Sequence, residues 1–124
     1  MSTSYYIKNK QNKEVELAIS NIPHEETRMI AFYEYYKSTK IGQTSLGWVF
    51  FLEEEFDLPL SEVYELLQDK YIFDEYDREI KRDDLFKKIL SMSDRETQGK
   101  PYFELKEEVF NGETYRYDIM KGGY

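Results

Sequence analysis

The sequence contains no cysteine and a single histidine, His24. The absence of thiols excludes disulfides, iron–sulfur clusters, thiolate zinc sites and cysteine nucleophiles, and it suits a reducing cytoplasm. Because only one imidazole remains as a nitrogen ligand, a transition-metal site is not expected. We therefore predict a protein that needs no metal ion and no other cofactor.

Basic residues are outnumbered, with 17 Lys and Arg against 25 Asp and Glu, which gives a formal net charge of −8. A surface of this sign repels phosphate backbones, so direct binding to nucleic acid is not expected. An acidic face speeds association with a basic protein, which is the partner that the charge favours. The charge leaves the oligomeric state open.

Long apolar runs are also missing. No stretch approaches 18 apolar residues, and no apolar segment of the kind found in export signals follows Met1. The sequence therefore predicts a cytoplasmic protein that does not associate with a membrane.

Aromatic residues, in contrast, are abundant. Twelve Tyr and eight Phe supply a large apolar area per residue, enough for a core despite a high share of charged side chains. The length of 124 residues is that of one ordinary domain. Since no repeat or long linker divides the chain, we predict a single domain over residues 1–124.

Hydrophobic periodicity predicts six strands and three helices in the order β-β-α-β-α-β-α-β-β. The clearest helix, 25–37, begins with acidic residues and carries Met29, Phe32, Tyr33 and Tyr36 as one apolar stripe. Such an order favours an α+β fold with a mostly antiparallel sheet and short helices packed on one face. The remaining predicted elements are strands 4–8, 14–19, 48–52, 71–73, 101–110 and 113–120, and helices 62–69 and 84–92.

The last two strands flank Asn111-Gly112, the strongest short signal for a β-hairpin. A two-residue loop would place Leu105 and Val109 on the opposite face from the apolar residues of the last strand. A bulge or an odd-length loop restores one shared apolar face. We therefore predict a three-residue loop that ends at Gly112 in the left-handed conformation.

The run 40–51 combines two glycines with the only tryptophan of the chain. Gly42 and Gly47 have the spacing of a phosphate loop, but Trp48 and Val49 stand where that loop needs Lys and Ser or Thr. A tight turn at a strand entry accounts for the glycines more simply. As an alternative function, the run could form a small-ligand or nucleotide-binding module, whose residues would be Gly42, Thr44, Ser45, Gly47 and Trp48.

Catalytic patterns are weak throughout. Ser45 lacks the G-x-S-x-G context of a nucleophile elbow, and His24 lies beside a proline at a predicted helix entry. The acids that begin at Asp74 do not have the spacing of a calcium loop, because Tyr76 and Glu79 replace a ligand and the glycine. We predict no catalytic residue, no metal site and no enzymatic activity.

Three segments, 32–36, 53–57 and 71–79, interleave acidic and aromatic residues. Tyrosine is enriched at protein interfaces, and nearby carboxylates suit a partner rich in Lys and Arg. The alternative is that the rings belong to the core and the acids form its solvated surface. The predicted partner-binding residues are Glu53, Glu54, Glu55, Asp57, Asp74, Glu75, Tyr76 and Asp77.

Three stretches follow a common order: M-S-T-S-Y-Y at residues 1–6, I-G-Q-T-S-L-G-W-V-F at 41–50, and I-F-D-E-Y-D-R-E-I at 72–80. In these stretches the chain resembles a group of small, uncharacterised bacteriophage and prophage proteins with the motifs M-G-T-N-Y-Y, I-G-K-S-S-x-G-W-x-F and I-x-D-E-Y-G-R-x-I. Ser2 and Gln43 depart from a glycine and a lysine of those motifs. The resemblance implies a phage or mobile-element origin and a role in the host cytoplasm.

Taken with the charge, this resemblance leads to a specific hypothesis. We expect a small acidic phage-type protein that binds and inhibits a basic host protein, for example a nucleic-acid-handling defence enzyme. An anti-CRISPR or other anti-defence activity is the concrete form of that hypothesis.

Overall fold

A computed structural model describes residues 3–45, 49–91 and 103–121 of the protein. These residues form six strands and four α-helices. The α+β class predicted from the order of the elements is therefore confirmed. The strands are β1 Thr3–Asn9, β2 Thr39–Ser45, β3 Val49–Glu53, β4 Lys70–Asp74, β5 Phe103–Phe110 and β6 Glu113–Met120. The helices are α1 Lys13–Ser20, α2 Glu25–Tyr36, α3 Leu60–Leu66 and α4 Arg82–Ser91, with a 3₁₀ turn at Glu54–Phe56.

The strands form one sheet in the order β4-β1-β2-β3-β6-β5. Neighbouring strands run antiparallel except β3 and β6, which are parallel. The apolar strand β3 therefore lies inside the sheet, as its two apolar faces predicted. Trp48, predicted as its first residue, lies outside the described residues.

One face of the sheet carries the core. Helices α3 and α4 cover this face, and five of their apolar side chains are buried with those of the strands. Burial of this kind contributes roughly 1.5–3 kcal/mol per large side chain and holds the domain together. The strands supply Tyr5, Ile7, Phe50, Leu52, Ile72, Tyr115, Tyr117 and Ile119, and the two helices supply Leu60, Val63, Leu85, Phe86 and Ile89.

The predicted strand 14–19 is wrong, since these residues belong to helix α1. The side chain of Asn12 accepts hydrogen bonds from the backbone N–H groups of Glu14 and Val15 at 3.0 and 3.2 Å, and so caps the helix. Val15 and Ile19 are half-buried one helical turn apart. Capping and an i, i+4 apolar pair outweigh the strand preference of the β-branched residues.

Strand β2 was not predicted, because Gly42 and its polar neighbours weaken the strand pattern. The register between β1 and β2 shifts at a bulge, where Tyr5 pairs with Gly42 and Tyr6 pairs with Lys40. Ile41 is the extra residue of this bulge, and its side chain joins the core. The bulge adds an apolar side chain to a strand that is otherwise polar.

The predicted length of the loop at Gly112 is also wrong, although Gly112 has the predicted left-handed conformation. Val109 pairs with Thr114, and both Asn111 and Gly112 have positive φ, 52° and 79°, which is a two-residue type I′ turn. This turn matches the right-handed twist of the strands, so its local preference overrides the gain from a shared apolar face. The consequence is that Leu105 and Val109 are 56% and 69% exposed.

Candidate functional site

The helical hairpin formed by α1 and α2 contains no buried side chain. It nevertheless carries five large apolar residues that are between 51% and 66% exposed. Scattered exposed apolar residues are ordinary, but a group of this size on 24 residues of chain is a candidate interaction surface. The five residues are Leu17, Met29, Ile30, Phe32 and Tyr33.

The apolar stripe predicted on α2 forms, but three of its four residues, Met29, Phe32 and Tyr33, are exposed, and only Tyr36 is half-buried. The half-buried residues Arg28, Ala31 and Tyr35 recur at helical spacing and mark the inward side of the helix. Met29 and Tyr33 lie on the exposed side. Apolar side chains therefore lie on more than one side of α2. An ordinary surface helix carries a single apolar stripe, and that stripe faces the core.

Specific hydrogen bonds hold the hairpin in place. The Tyr36 hydroxyl donates to the carboxylate of Glu16 at 2.7 Å and accepts from the backbone N–H of Asn12 at 3.3 Å, which joins the two helices. The Asn9 side chain at the end of β1 donates to the backbone carbonyl of Tyr35 at 2.6 Å. Polar contacts thus position the hairpin and leave its apolar side chains uncovered.

Between the helices lies an open, mostly apolar groove with a volume of about 840 Å³. Met29, Phe32 and Tyr33 form one wall, Ile19 belongs to the other, and Tyr36 links the two. The rings of Phe32 and Tyr36 pack with their centroids 4.9 Å apart. The groove also contacts Glu16, Ser20, Arg28, Lys37 and Ser38.

Charged side chains of both signs lie at the end of this groove. The ammonium group of Lys37 lies 2.9 Å from the carboxylate of Glu34, and the pKa of Lys37 is raised by that hydrogen bond and by the charges of Glu34 and Glu55. Arg28 donates to the backbone carbonyl of Ile22 at 2.9 Å. The charged residues that line the groove are therefore one acid, Glu16, and two cations, Arg28 and Lys37, and Lys37 is paired with Glu34.

The structure divides the predicted acidic segment 53–57 into two parts. Glu54 and Glu55 are exposed on the 3₁₀ turn. The charge of Glu55 contributes to the raised pKa of Lys37, which follows helix α2. Glu53 is half-buried with Lys40 at 3.7 Å. Asp57 contacts Lys121 and Lys106, so a partner would have to compete for it with the protein's own cations.

The second predicted segment, 74–77, is a tight turn after β4. Asp74 is buried and accepts the backbone N–H groups of Tyr76 and Arg78 at 2.9 and 3.0 Å, and its other oxygen accepts the Arg78 guanidinium at 2.8 Å. Its role is to fold the turn, in which Asp77 has a positive φ of 60°. Glu75, Tyr76 and Asp77 are exposed.

These two buried or paired carboxylates predict acid sensitivity. Hydrogen bonding to Lys121, opposed by partial burial, holds the pKa of Asp57 below its ordinary value. Burial raises the pKa of Asp74, but hydrogen bonds from the backbone of Arg78 and Tyr76 and the Arg78 guanidinium outweigh it, so the net shift is also downward. As the pH falls, Asp57 and Asp74 therefore bind protons in the unfolded chain at a higher pH than in the folded protein. We expect the free energy of unfolding to decrease below about pH 4.

Chemical denaturation at a series of pH values measures this effect. The double variant Asp57→Asn, Asp74→Asn should lose stability at neutral pH and show a shallower decline in acid. The control variant Glu65→Gln, on the exposed side of α3, should keep the slope of the wild type. If the free energy of unfolding of the double variant falls with pH as steeply as that of the wild type, the acid sensitivity does not come from Asp57 and Asp74.

The residues predicted to bind a small ligand belong to strand β2 where they are described. A Cβ atom at position 42 would lie 2.3 Å from the carbonyl oxygen of Phe51, so glycine is needed for the approach of the two strands. Thr44 is buried and accepts the backbone N–H of Thr3 at 3.1 Å. Ser45 pairs with Val49 at the end of this strand pair. Gly47, Trp48 and the side chain of Ser45 lie outside what the structure describes.

Two further properties concern only the described residues. No group of three or more acidic or histidine side chains within 3–45, 49–91 and 103–121 is arranged to hold a metal ion. Among the helices of these ranges, none has both the length and the apolar character needed to cross a lipid bilayer.

Sequence reasoning included segment 32–36 among the acidic and aromatic segments but did not select Met29, Ile30, Phe32 or Tyr33 as site residues. An apolar stripe at helical spacing usually packs on the core, and periodicity does not show which side of a helix meets the protein. The sequence signal that could have shown this is the pair Ala31 and Tyr35. They lie four residues apart on another side of α2, and this is the side that meets the protein.

Comparison with protein-family models, with curated proteins and with solved structures finds no match for the chain. The site is therefore interpreted from its own geometry and charge.

Proposed function

We propose that the protein acts by binding a basic partner protein, and that the α1–α2 hairpin with its groove is the binding surface. The observation that supports this most strongly is a hairpin with no buried side chain and five exposed large apolar residues. Helices of 8 and 12 residues are marginal on their own, so an apolar side left in water brings no benefit to folding. Contact with a partner would bury this apolar side of the hairpin and so give it a function.

The charge of the protein specifies the kind of partner. The chain carries a net charge of −8, and the charges of Glu34 and Glu55, both exposed, help to raise the pKa of Lys37, which lines the groove. Like charges across an interface are destabilising, whereas a basic partner gains in association rate and specificity. Apolar groove residues would supply affinity. The carboxylates of Glu34 and Glu55, here called the acidic rim, would select the partner.

In its concrete form, the proposal is an inhibitor of a basic host protein. The resemblance to phage proteins favours an anti-defence role in the host cytoplasm, and a nucleic-acid-handling defence enzyme has the required basic surface. The acidic protein would occupy that surface and exclude nucleic acid from it. The function needs binding and no catalysis.

Capture from a bacterial host lysate on the immobilised protein tests the role of the rim charges. We expect a partner that is retained at low salt and released at high salt, because exposed charges are screened within about 10 Å at 0.1 M salt. The variant Glu34→Gln, Glu55→Gln should retain several-fold less of that partner at low salt.

The matched control is Glu62→Gln, Glu65→Gln, which removes the same charge from exposed positions of α3. It should capture the partner nearly as well as the wild type. Equal loss in the two variants, or capture that is insensitive to salt, would contradict an acidic rim that selects the partner.

A further inference from the structure

The two edges of the sheet are finished differently. At the β4 edge the chain folds back on the strand, since the backbone N–H of Ile80 donates to the carbonyl of Ile72 at 2.8 Å. Strand β5 forms the other edge and pairs only with β6. An edge strand of eight residues is a template for pairing with another strand unless the protein covers or shields it.

The two-residue turn that joins β5 to β6 decides which backbone groups of β5 face outward. Phe110 and Glu113 flank this turn and form a hydrogen-bonded pair, so alternate residues of β5 bond to β6. The backbone N–H and C=O groups of Leu105, Glu107 and Val109 consequently point away from β6. Within the described part of the chain these groups have no partner. Three N–H and three C=O groups are therefore available to another strand.

Charged side chains, lysine especially, commonly shield an edge strand, but those of β5 are held by their own chain. The ammonium group of Lys106 lies 3.3 Å from the carboxylate of Asp57. The guanidinium of Arg116 on β6 donates to Glu107 at 3.0 Å. The carboxylate of Glu108 accepts the first backbone N–H of α3 at 3.0 and 3.1 Å. The charges at 106–108 are therefore paired within the chain instead of projecting across the edge.

In one antiparallel register the β5 strands of two copies match in both polarity and charge. Residues with outward backbone groups pair with one another, so the register centred on Glu107 sets Leu105 opposite Val109 of the second copy. Both of these apolar side chains are exposed, and they lie on the same face of the sheet. On the other face, Lys106 lies opposite Glu108 of the second copy, which is a pair of opposite charges.

The neighbouring register, centred on Lys106, is disfavoured. It sets lysine opposite lysine and Glu104 opposite Glu108, and like charges that lie directly opposite are destabilising. The register centred on Glu107 brings together one pair of like charges, the two Glu107 carboxylates, and each of these is bonded to Arg116 of its own chain. The charge pattern of the strand therefore fits a second copy in a single register.

We propose that β5 pairs antiparallel with β5 of a second copy of this chain, which joins two six-stranded sheets into one continuous sheet. Leu105, Glu107 and Val109 of the two copies would form about six backbone hydrogen bonds. Strand β5 is separated by three strands from β1, whose Asn9 is bonded to the α1–α2 hairpin. The dimer therefore leaves both hairpins free, and it does not depend on the proposed function.

Sedimentation equilibrium at about 0.15 M salt, which screens the repulsion between two acidic copies, tests the dimer. Because the interface is small, we expect a dissociation constant of about 1–100 μM for the wild type. The variant Glu107→Pro removes an outward N–H from the centre of the edge and leaves the bonds to β6 intact. Dimerisation should weaken about tenfold or more in this variant. The control Glu107→Thr loses the same charge but keeps that N–H, so it should dimerise at least as well as the wild type.

Since the chain has no cysteine, a single introduced cysteine tests the register, even if the proline variant does not fold. In the proposed dimer the two Cα atoms at position 107 would lie about 5.5 Å apart, which suits a disulfide. Those at position 109 would lie about 13 Å apart, which is too far for one. On mild oxidation, Glu107→Cys should therefore form a disulfide-linked dimer about tenfold or more faster than the exposed control Val109→Cys.

Three results would overturn the proposal. They are a wild type that stays monomeric up to about 200 μM, a Glu107→Pro protein that dimerises as well as Glu107→Thr, and equal cross-linking of the two cysteine variants. A dimer that is lost in the variant Met29→Ser, Tyr33→Ser would overturn it as well, because the hairpin would then be the contact. Capture of a lysate protein does not require the dimer, so failure of either proposal leaves the other standing.

Discussion

Replacing Met29 and Tyr33 by serine is expected to abolish partner binding and to leave the fold nearly unchanged. Both side chains are about two-thirds exposed, at 65% and 66%, so the folded protein gains little from them. At an interface, an aromatic or apolar anchor commonly contributes about 2 kcal/mol or more. Loss of two anchors should weaken binding about 100-fold or more, while the midpoint of thermal unfolding stays close to that of the wild type.

The chain supplies a matched control for this variant. Leu105 and Val109 are 56% and 69% exposed on β5, away from the hairpin. The variant Leu105→Ser, Val109→Ser removes a similar exposed apolar area and should bind the partner as the wild type does. If it loses binding while the hairpin variant retains it, the interface is the outer face of β5 and the assignment to the hairpin is wrong.

The largest loss of stability is expected for Gly42→Ala. The added Cβ would lie 2.3 Å from the Phe51 carbonyl oxygen and 3.1 Å from a ring carbon of Phe50. Because one of these atoms is backbone in the adjacent strand β3, no side-chain rotation relieves the clash. We expect a loss of about 3 kcal/mol in the free energy of unfolding, measured by chemical denaturation.

Gly112 is the natural control for Gly42. A Cβ at position 112 would meet nothing within 4 Å, although its φ is +79°. Asparagine tolerates this conformation, so Gly112→Asn should cost less than about 1 kcal/mol. A stable Gly42→Ala protein would mean that strand packing does not require the glycine. The ligand hypothesis for 42–48 would then gain weight, and a thermal-shift screen with nucleotides would test it.

Much of the fold could be predicted from local patterns, and the exceptions have physical causes. Helix α2 was predicted from its acidic first turn and apolar stripe, and the class of fold followed from the order of elements. Helix α1 was mistaken for a strand because Val15, Leu17 and Ile19 also alternate with period two. The cap at Asn12 decides between the two patterns in favour of the helix.

The C-terminal hairpin shows the opposite balance. The prediction gave priority to a shared apolar face, whereas the Asn111-Gly112 turn determines the register and leaves Leu105 opposite the buried Asp118. Local turn geometry outweighed burial at the edge of the sheet, where the loss of one apolar contact is modest.

The candidate site was harder to predict than the fold. Apolar residues such as Met29 and Phe32 give the same sequence pattern whether they meet a core or a partner. Only the placement of α2 beyond the end of β1, tied by Asn9 to Tyr35, shows that the stripe is exposed. Acidic residues were easier to identify but not to assign, since Asp57 and Asp74 are paired with cations of their own chain, whereas Glu55 is exposed.

Hydrogen exchange of the captured complex tests the central claim most directly. In the free protein, amides of 13–36 should exchange faster than those of α4 and β6, because no side chain of the hairpin is buried. With the partner bound, exchange should slow mainly in 13–36. Slowing confined to 53–57 and 74–77, with the hairpin unchanged, would contradict the account and return the interface to the acidic segments.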